Sequence, residues 1–197
     1  MQFTLKKKRR KRKEDVKNSE APSFRIITKE TQQKNVHFSS EKDDWETPIE
    51  FFNALDCVFH FELDPCCYPE SAKCSNFFTK EENGLLQDWT QFSSIFMNPP
   101  YGKGIFPWIK KAYHTSLSSS FPVVVCLVPA RPSSKWCQFS LKFSKAVTFV
   151  KGRLKFGGSD SGAPFPSLVS VFSRNPLKEE QKRLLTSLGK TFFNSSI

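Results

Sequence analysis

The sequence predicts an α/β domain, built from a mostly parallel sheet with an antiparallel hairpin at one edge and helices on both faces. Segment 122–128 is a continuous valine-rich run, which is typical of a strand buried on both faces of a parallel sheet. Segment 94–97 is a second apolar run, and it stops abruptly at Asn98-Pro99-Pro100-Tyr101. Because such sheets bind ligands beyond the carboxyl ends of their strands, we expect the chemistry at this turn.

The length of 197 residues fits one domain with tails. The formal charge is +11, and most of it lies in the first 17 residues, which hold nine Lys/Arg and two Asp/Glu. We therefore predict a disordered basic tail over 1–40, a domain over 41–175 and a C-terminal helix over 176–197. The basic run 6–13 either binds phosphate groups, stays solvated without a partner, or serves nuclear import in a eukaryotic cell.

No apolar stretch is long enough to span a membrane, and no apolar segment follows the basic N-terminus as in a signal peptide. We therefore expect a cytoplasmic protein without a membrane partner, or a nuclear one in a eukaryotic host. The cysteines and the one nearby histidine lack paired CxxC spacing, so we expect reduced thiols and no metal site. These residues are Cys57, His60, Cys66, Cys67 and Cys74.

The first elements of the domain follow from local signals. Thr47 before Pro48 matches an N-cap with proline at the first helical position, and a helical apolar stripe follows. Segment 59–65 alternates apolar and polar residues, which predicts a strand with Asp64 at its carboxyl end. Asp64 can bind a cofactor amine or a ribose hydroxyl, or it can simply start a turn with Pro65.

An irregular excursion is predicted from Cys66 to a turn at Asn83-Gly84, and Asp88 further on either contacts the substrate or caps a turn. Apolar residues at helical spacing predict a helix over about 105–113. Residues 146–150 and 168–172 are predicted to form two strands of an edge hairpin. A C-terminal helix is predicted from one shared face, made of Leu177, Leu184, Leu185, Leu188 and Phe192.

The loop 129–136 follows the valine-rich strand, so it lies beside Asn98 if the two strands are neighbours. Its residues are basic and aromatic, as in a loop that faces nucleic acid, although Trp136 can instead pack inward.

The turn Asn98-Pro99-Pro100-Tyr101 suits a planar ring that bears an exocyclic amine. Its prolines fix φ and lack N–H donors, so the turn is rich in acceptors. The Asn98 side chain and the Pro99 carbonyl can take the two amine protons, while Tyr101 can stack on the ring. The alternative is a proline-rich turn without a ligand.

Asn-Pro-Pro-Tyr resembles the catalytic motif of S-adenosylmethionine-dependent amino methyltransferases. Over about residues 43–173, the motifs together resemble the phage-type, Dam-like DNA N6-adenine methyltransferases. The motifs that carry this resemblance are 45–48, 63–65, 78–79, 83–85, 88–89, 98–102, 127–131, Trp136 and 152–156.

The resemblance implies an abbreviated Rossmann-like methyltransferase sheet. It also implies an enzyme that moves a methyl group from S-adenosylmethionine to adenine N6 in double-stranded DNA by base flipping. Apart from the resemblance, a monomer is favoured over an oligomer. It implies catalytic roles for Asn98, Pro99, Pro100 and Tyr101. The cofactor group comprises Trp45, Thr47, Pro48, Asp64, Pro65 and Asp88, with Asp88 near the adenines. We expect the DNA contacts to come from Arg131, Lys135, Trp136, Arg153 and Lys155.

The chain departs from the family pattern in three places. No glycine follows Asp64 where most methyltransferases have a glycine-rich turn, and Asn83 stands where the family usually has Asp. Only 33 residues separate Asp64 from Asn98, which predicts the abbreviated sheet. Two alternatives stay open: methylation of RNA or of a protein amide, and an inactive nucleic-acid-binding protein.

Overall fold

A computed structural model of the chain describes residues 44–195, so the predicted tail 1–40 with its basic run 6–13 lies outside the described residues. The helices of the described part are α1 (Ile49–Phe59), α2 (Ile105–Ser116), α3 (Lys135–Phe143) and α4 (Glu179–Leu188). Its strands are β1 (Leu63–Asp64), β2 (Asn76–Phe77), β3 (Ser94–Met97), β4 (Val123–Pro129), β5 (Ala146–Val150), β6 (Ser167–Phe172) and β7 (Gly189–Phe193).

The strands form one sheet in the order β2-β1-β3-β4-β6-β5-β7. The pairs β2-β1, β1-β3 and β3-β4 are parallel, and the pairs β4-β6, β6-β5 and β5-β7 are antiparallel. This mixed sheet confirms the predicted α/β class. Strands β3 and β4 are neighbours, which was the condition for the loop after β4 to lie beside Asn98. Its first strands are short, as the abbreviated sheet requires.

Both faces of the central strands are covered. Every residue of β3 is buried, and so is every residue of β4 after Val123. Helix α1 contacts α4, while α2 contacts α3 and β4. Valine-rich strands without polar alternation are stable only when both faces are packed. Within residues 44–195, no helix has the length and apolar character needed to cross a membrane.

The predicted edge hairpin exists, but its place in the sheet was wrong. Strands β5 and β6 pair antiparallel with Val147 opposite Ser170, yet a further strand covers the outer side of β5. That strand, β7, falls in the segment predicted as helix. Helix α4 ends at Leu188, and Gly189 begins β7 in extended conformation with φ 163°. Residue Phe192 therefore belongs to the edge strand.

Two boundaries near the N-terminus of the domain also differ from the prediction. Helix α1 begins at Ile49, with Pro48 in the cap position and no side-chain cap, so Thr47 is not the N-cap. The helix runs on through Phe59 and ends at His60, whose φ of 54° is left-handed. Strand β1 is thus shorter than the predicted strand 59–65, although Asp64 does end it.

The predicted turn at Asn83-Gly84 is confirmed. Asn83 has a left-handed φ of 52°, which asparagine tolerates better than most residues, and its carbonyl accepts a hydrogen bond from Leu86 N at 2.8 Å.

Candidate active site

The carboxyl ends of three parallel strands meet at one edge of the sheet. Asp64 ends β1, Asn98 follows β3, and Ala130 follows β4. The pairings Leu63 with Ile95 and Met97 with Cys126 set the level of these ends relative to one another. The predicted cofactor acid and the predicted catalytic turn are thus neighbours in space.

The amide of Asn98 is held by the segment that precedes α1. Its Nδ2 donates to the Trp45 carbonyl oxygen at 2.5 Å and lies 3.0 Å from Thr47 Oγ1. Its Oδ1 is buried and has no hydrogen-bond partner among the described residues. Leaving a buried acceptor unpaired costs about 1–3 kcal/mol, so this oxygen is a ready site for an external donor.

Asn98 and Asp64 line the same cavity of about 230 Å³. Trp45, Thr47 and Pro100 also line it. An adjoining cavity of about 520 Å³ shares its walls at Asp44, Cys66, Cys67, Tyr68 and Pro100. Together the two cavities have the size range of small-molecule sites in proteins.

The carboxylate of Asp64 is buried in the first cavity. Burial raises its pKa to about 6, although hydrogen bonds from the backbone N–H groups of Lys73 and Cys66 oppose this shift. At neutral pH the group is therefore ionised and can accept hydrogen bonds from a ligand. Burial also raises the pKa of the neighbouring Cys66 thiol, so that thiol stays protonated.

Two polar pairs join opposite walls of the first cavity. The Tyr68 hydroxyl donates to Asp44 Oδ2 at 2.6 Å, and Lys73 Nζ donates to Glu46 Oε1 at 2.9 Å. The Lys73 side chain is only 9% exposed. These pairs connect the segment before α1 to the excursion after β1, and no sequence pattern predicts that contact.

Tyr101 does not offer a free ring face. It is 5% exposed, and its ring lies 6.5 Å from that of Trp45, nearly parallel at 23°. The rings of Phe156 and Phe165 approach it edge-on at 6.2 and 5.5 Å. We call Trp45, Tyr101, Phe156 and Phe165 the aromatic cluster. The Tyr101 hydroxyl is buried without a partner among the described residues, and burial raises its pKa well above the usual range.

The remaining residues of the predicted cofactor group, Pro48, Pro65 and Asp88, do not line either cavity. Pro48 caps α1, and Pro65 is buried and lines neither cavity. Asp88 lines neither cavity, and its Oδ1 accepts hydrogen bonds from the Thr90 backbone and hydroxyl at 2.9 and 2.8 Å. Asp88 therefore caps a turn, and its position near the adenines stays a prediction.

The residues expected to contact DNA line neither cavity, and they lie in two segments of the chain, one after β4 and one before Phe156. Arg131 and Lys135 are exposed just beyond the end of β4, while Trp136 is half-buried with its indole N–H donating to the Pro129 carbonyl at 3.1 Å. Arg153 and Lys155 are exposed on the stretch that leads to Phe156 of the aromatic cluster. The four cations are accessible, and Trp136 packs inward.

Sequence reasoning missed several residues of the site. Phe156 and Phe165 lie on either side of a Gly/Ser-rich segment, 157–162, between the two hairpin strands. Aromatic residues at both ends of a polar loop were the available signal for them. Lys73 and Tyr68 lie in a stretch without periodicity, where no local pattern marks them. Within residues 44–195, no group of three or more His, Cys, Asp or Glu side chains could hold a metal ion, and all six cysteines are free thiols.

The raised pKa of Asp64 predicts a pH-dependent stability difference. Its pKa is 3.8 in the unfolded reference and about 6 when folded, so the folded protein binds more protons between these values. Stability therefore falls as pH rises through this window, by about 3 kcal/mol from this residue. We expect the free energy of unfolding of Asp64→Asn, relative to wild type, to rise by that amount between about pH 4 and 7.

Urea unfolding at several pH values measures this difference, and the exposed Asp160→Asn variant serves as the control. Any pH-independent effect of the Asp64→Asn substitution on the free energy of unfolding cancels, because only the change of this difference with pH is compared. A difference that stays constant across the range would contradict the raised pKa.

Comparison with known proteins places the chain among methyltransferases. The family model described as DNA N-6-adenine-methyltransferase (Dam) matches residues 13–187. The DNA N-6-adenine-methyltransferase of Haemophilus phage HP1 (strain HP1c1) is 32% identical over 126 residues, which cover 62% of this chain and 71% of that protein.

Two further relatives align with this chain over fewer residues. YfdM of Escherichia coli (strain K12) is 31% identical over 81 residues, which cover 40% of this chain and 89% of that protein. The DNA N-6-adenine-methyltransferase of Escherichia phage T1 is 30% identical over 115 residues, which cover 57% of this chain and 47% of that protein.

Proposed function

This chain belongs to the DNA N-6-adenine-methyltransferase (Dam) family, and from that premise we propose that it moves a methyl group from S-adenosylmethionine to N6 of an adenine flipped out of double-stranded DNA. The observation that carries the proposal is the unpaired Oδ1 of Asn98. It lies at the wall of a cavity that also holds the Asp64 carboxylate.

Asn98 would act on the amine of the substrate. Its Oδ1 would accept a hydrogen bond from one N6–H, and the Pro99 carbonyl oxygen is the candidate acceptor for the other. These two hydrogen bonds would orient the nitrogen lone pair toward the methyl group. The new bond from N6 to the methyl carbon would replace the carbon–sulfur bond of the sulfonium, whose electron pair stays on sulfur. N6 would then carry the positive charge, and the carbonyl oxygens beside it would stabilise that charge. The extra proton then leaves to solvent. No side chain needs to form a covalent bond to the base.

The two joined cavities are the proposed cofactor site. Asp64 would accept hydrogen bonds from the ribose hydroxyls or the amino group, since its carboxylate is ionised above about pH 6. When bound there, S-adenosylmethionine supplies a methyl group made electrophilic by its sulfonium. The wall of the first cavity after Asp64 is formed by residues of 66–73, and none of these is glycine.

The aromatic cluster is the proposed place of the flipped base. Its rings pack on one another, so a base can stack on Tyr101 only after the cluster opens. Opening exposes the Tyr101 hydroxyl, which has no partner in the closed arrangement, and a base or water then satisfies it. The loop between Phe156 and Phe165 is largely exposed, so we expect the cluster to open by a movement of this loop.

Arg131 and Lys135 are expected to contribute to DNA affinity through phosphate contacts. Replacing both with alanine should weaken binding to any duplex and reduce the slope of log K against log salt by about 2. The matched control is the pair Arg174→Ala and Lys178→Ala. Phe172 pairs with Val124 at the start of β4, so these exposed cations lie at the opposite end of the sheet.

Fluorescence anisotropy with a labelled duplex at several salt concentrations measures both slopes. If the two double variants lose equal affinity and slope, the surface of Arg131 and Lys135 is not the DNA surface.

The function itself is tested by offering methyl-labelled S-adenosylmethionine with duplex DNA, RNA or protein extract. We expect label in DNA, recovered as N6-methyladenine after digestion to nucleosides. Label in RNA or protein alone would replace the proposed substrate. Binding of DNA without any transfer, and without cofactor binding by calorimetry, would favour an inactive nucleic-acid-binding protein.

A further inference from the structure

The orientation of the Asn98 side-chain amide is set by two residues before α1, Trp45 and Thr47. A backbone carbonyl can only accept hydrogen bonds, so the amide atom 2.5 Å from the Trp45 carbonyl oxygen must be the Nδ2 donor. The second Nδ2 proton points to Thr47 Oγ1 at 3.0 Å. With both protons engaged on this side, Oδ1 is left on the other side without a partner.

Thr47 is free to perform this role because it does not cap α1. A Thr-Pro pair before a helix normally gives its hydroxyl to the first turn. Here Pro48 occupies the cap position, with φ −57° and ψ 134°, and the helix has no side-chain cap. Thr47 is 3% exposed, so its hydroxyl has little access to water and is committed to Asn98.

The packing of α1 on β3 fixes the distance between the two side chains. Phe52 on the first turns of α1 meets Phe96 on β3 edge-on, with ring centroids 5.1 Å apart. Phe96 lies two residues before Asn98, and the Phe52 N–H donates to the Pro48 carbonyl at 3.0 Å. Thr47 and Asn98 are thus anchored to the same buried aromatic contact.

We propose that Thr47 is a positioning residue for Asn98: its hydroxyl and the Trp45 carbonyl together hold Nδ2, so that Oδ1 is always the atom presented to the substrate amine. The inference rests on the proposed function and assigns to Thr47 a task other than contact with the cofactor. Without the hydroxyl, one Nδ2 proton loses its partner, and the amide spends less time in the productive orientation.

The test compares Thr47→Val, which removes the hydroxyl at nearly constant volume, with Thr47→Ser, which keeps it. We expect Thr47→Val to lower kcat for DNA methylation about tenfold, the effect of losing one hydrogen bond, with Kd for S-adenosylmethionine within twofold of wild type. Thr47→Ser should restore kcat to within about threefold of wild type. A smaller variant, Thr47→Ala, should reproduce the loss if valine disturbs folding.

Two outcomes would overturn the positioning role. One is a wild-type kcat in the valine and alanine variants, and the other is a loss of cofactor affinity as large as the loss of rate, which would make Thr47 a cofactor contact. In an Asn98→Ala background, Thr47→Val should cause no further loss. If the wild-type protein itself transfers no methyl group to DNA, the proposed function fails, whereas an active wild type with unaffected Thr47 variants refutes the positioning role alone.

Discussion

Asn98→Ala is expected to lower the rate of adenine methylation in duplex DNA at least 100-fold, the usual effect of removing one transition-state hydrogen-bonding group. The variant removes the buried Oδ1 that has no partner among the described residues. It also frees the Trp45 carbonyl and Thr47 hydroxyl from Nδ2. Single-turnover transfer from labelled cofactor into a saturating duplex measures the rate of the chemical step.

Two controls make this result specific. Calorimetry with S-adenosylmethionine and thermal unfolding should show a folded protein that still binds cofactor, because Asp64 and the rest of the wall remain. Asn98→Asp keeps an acceptor toward the substrate, so it should retain more activity than alanine, although its second oxygen would face the Trp45 carbonyl. An Asn98→Ala protein with wild-type activity would remove Asn98 from the mechanism.

Gly84→Ala is expected to lower the free energy of unfolding by about 3 kcal/mol, or Tm by roughly 6–12 °C. A Cβ at this position would lie 1.9 Å from the Pro65 carbonyl oxygen and 3.2 Å from Trp108 Cη2. Because the first of these is a backbone atom, the chain after Asp64 must move. Gly84 and Trp108 also line the larger cavity, so cofactor affinity should fall with stability.

Gly104→Ala is the matched control, since no atom lies within 4 Å of its added Cβ and its φ of −81° is ordinary. Its stability should stay within about 0.5 kcal/mol of wild type. Differential scanning calorimetry of the two variants, with and without S-adenosylmethionine, provides the comparison. Equal stabilities of the two variants would show that the close approach of Gly84 to Pro65 does not exist in solution.

The close contact of Gly84 with Pro65 gives a structural reason for the motifs 83–85 and 88–89, which the sequence analysis assigned to function. The Trp89 indole N–H donates to the Gly84 carbonyl at 2.8 Å, and its ring stacks on that of Trp108 at 6.0 Å. Lys111 Nζ donates to the carbonyls of Leu85 and Gln87 and lies over Trp89 at 5.0 Å. The segment 83–89 therefore stabilises the wall of the larger cavity, and Asp88 caps a turn within this segment.

Elements with a strong local signal could be predicted from the sequence. The buried runs of β3 and β4 and the amphipathic helix α2 stand where they were expected, because continuous apolar runs and helical spacing have few alternative interpretations. Strand β7 was missed for the opposite reason. Phe192 fits the helical stripe of Leu185 and Leu188, and only pairing with β5 distinguishes strand from helix there.

Gly189 was the overlooked signal at that boundary. An added Cβ would lie 2.0 Å from the Phe149 carbonyl oxygen, so only glycine permits this approach of β7 to β5. A glycine after a helical stripe predicts the end of the helix, but it does not predict which strand the following residues join.

The sequence by itself determined the family, the α/β class, the turn Asn98-Pro99-Pro100-Tyr101 and the acid at Asp64, since each depends on residues that are adjacent in the chain or in a fixed order. Only the tertiary structure decided what these groups can do. In the folded protein, Thr47 is a hydrogen-bond partner of Asn98 and not a helix cap, and Tyr101 is enclosed in the aromatic cluster. Burial raises the pKa of Asp64. Hydrogen bonding across more than 50 residues, aromatic packing and desolvation all depend on distances in space, which no local pattern encodes.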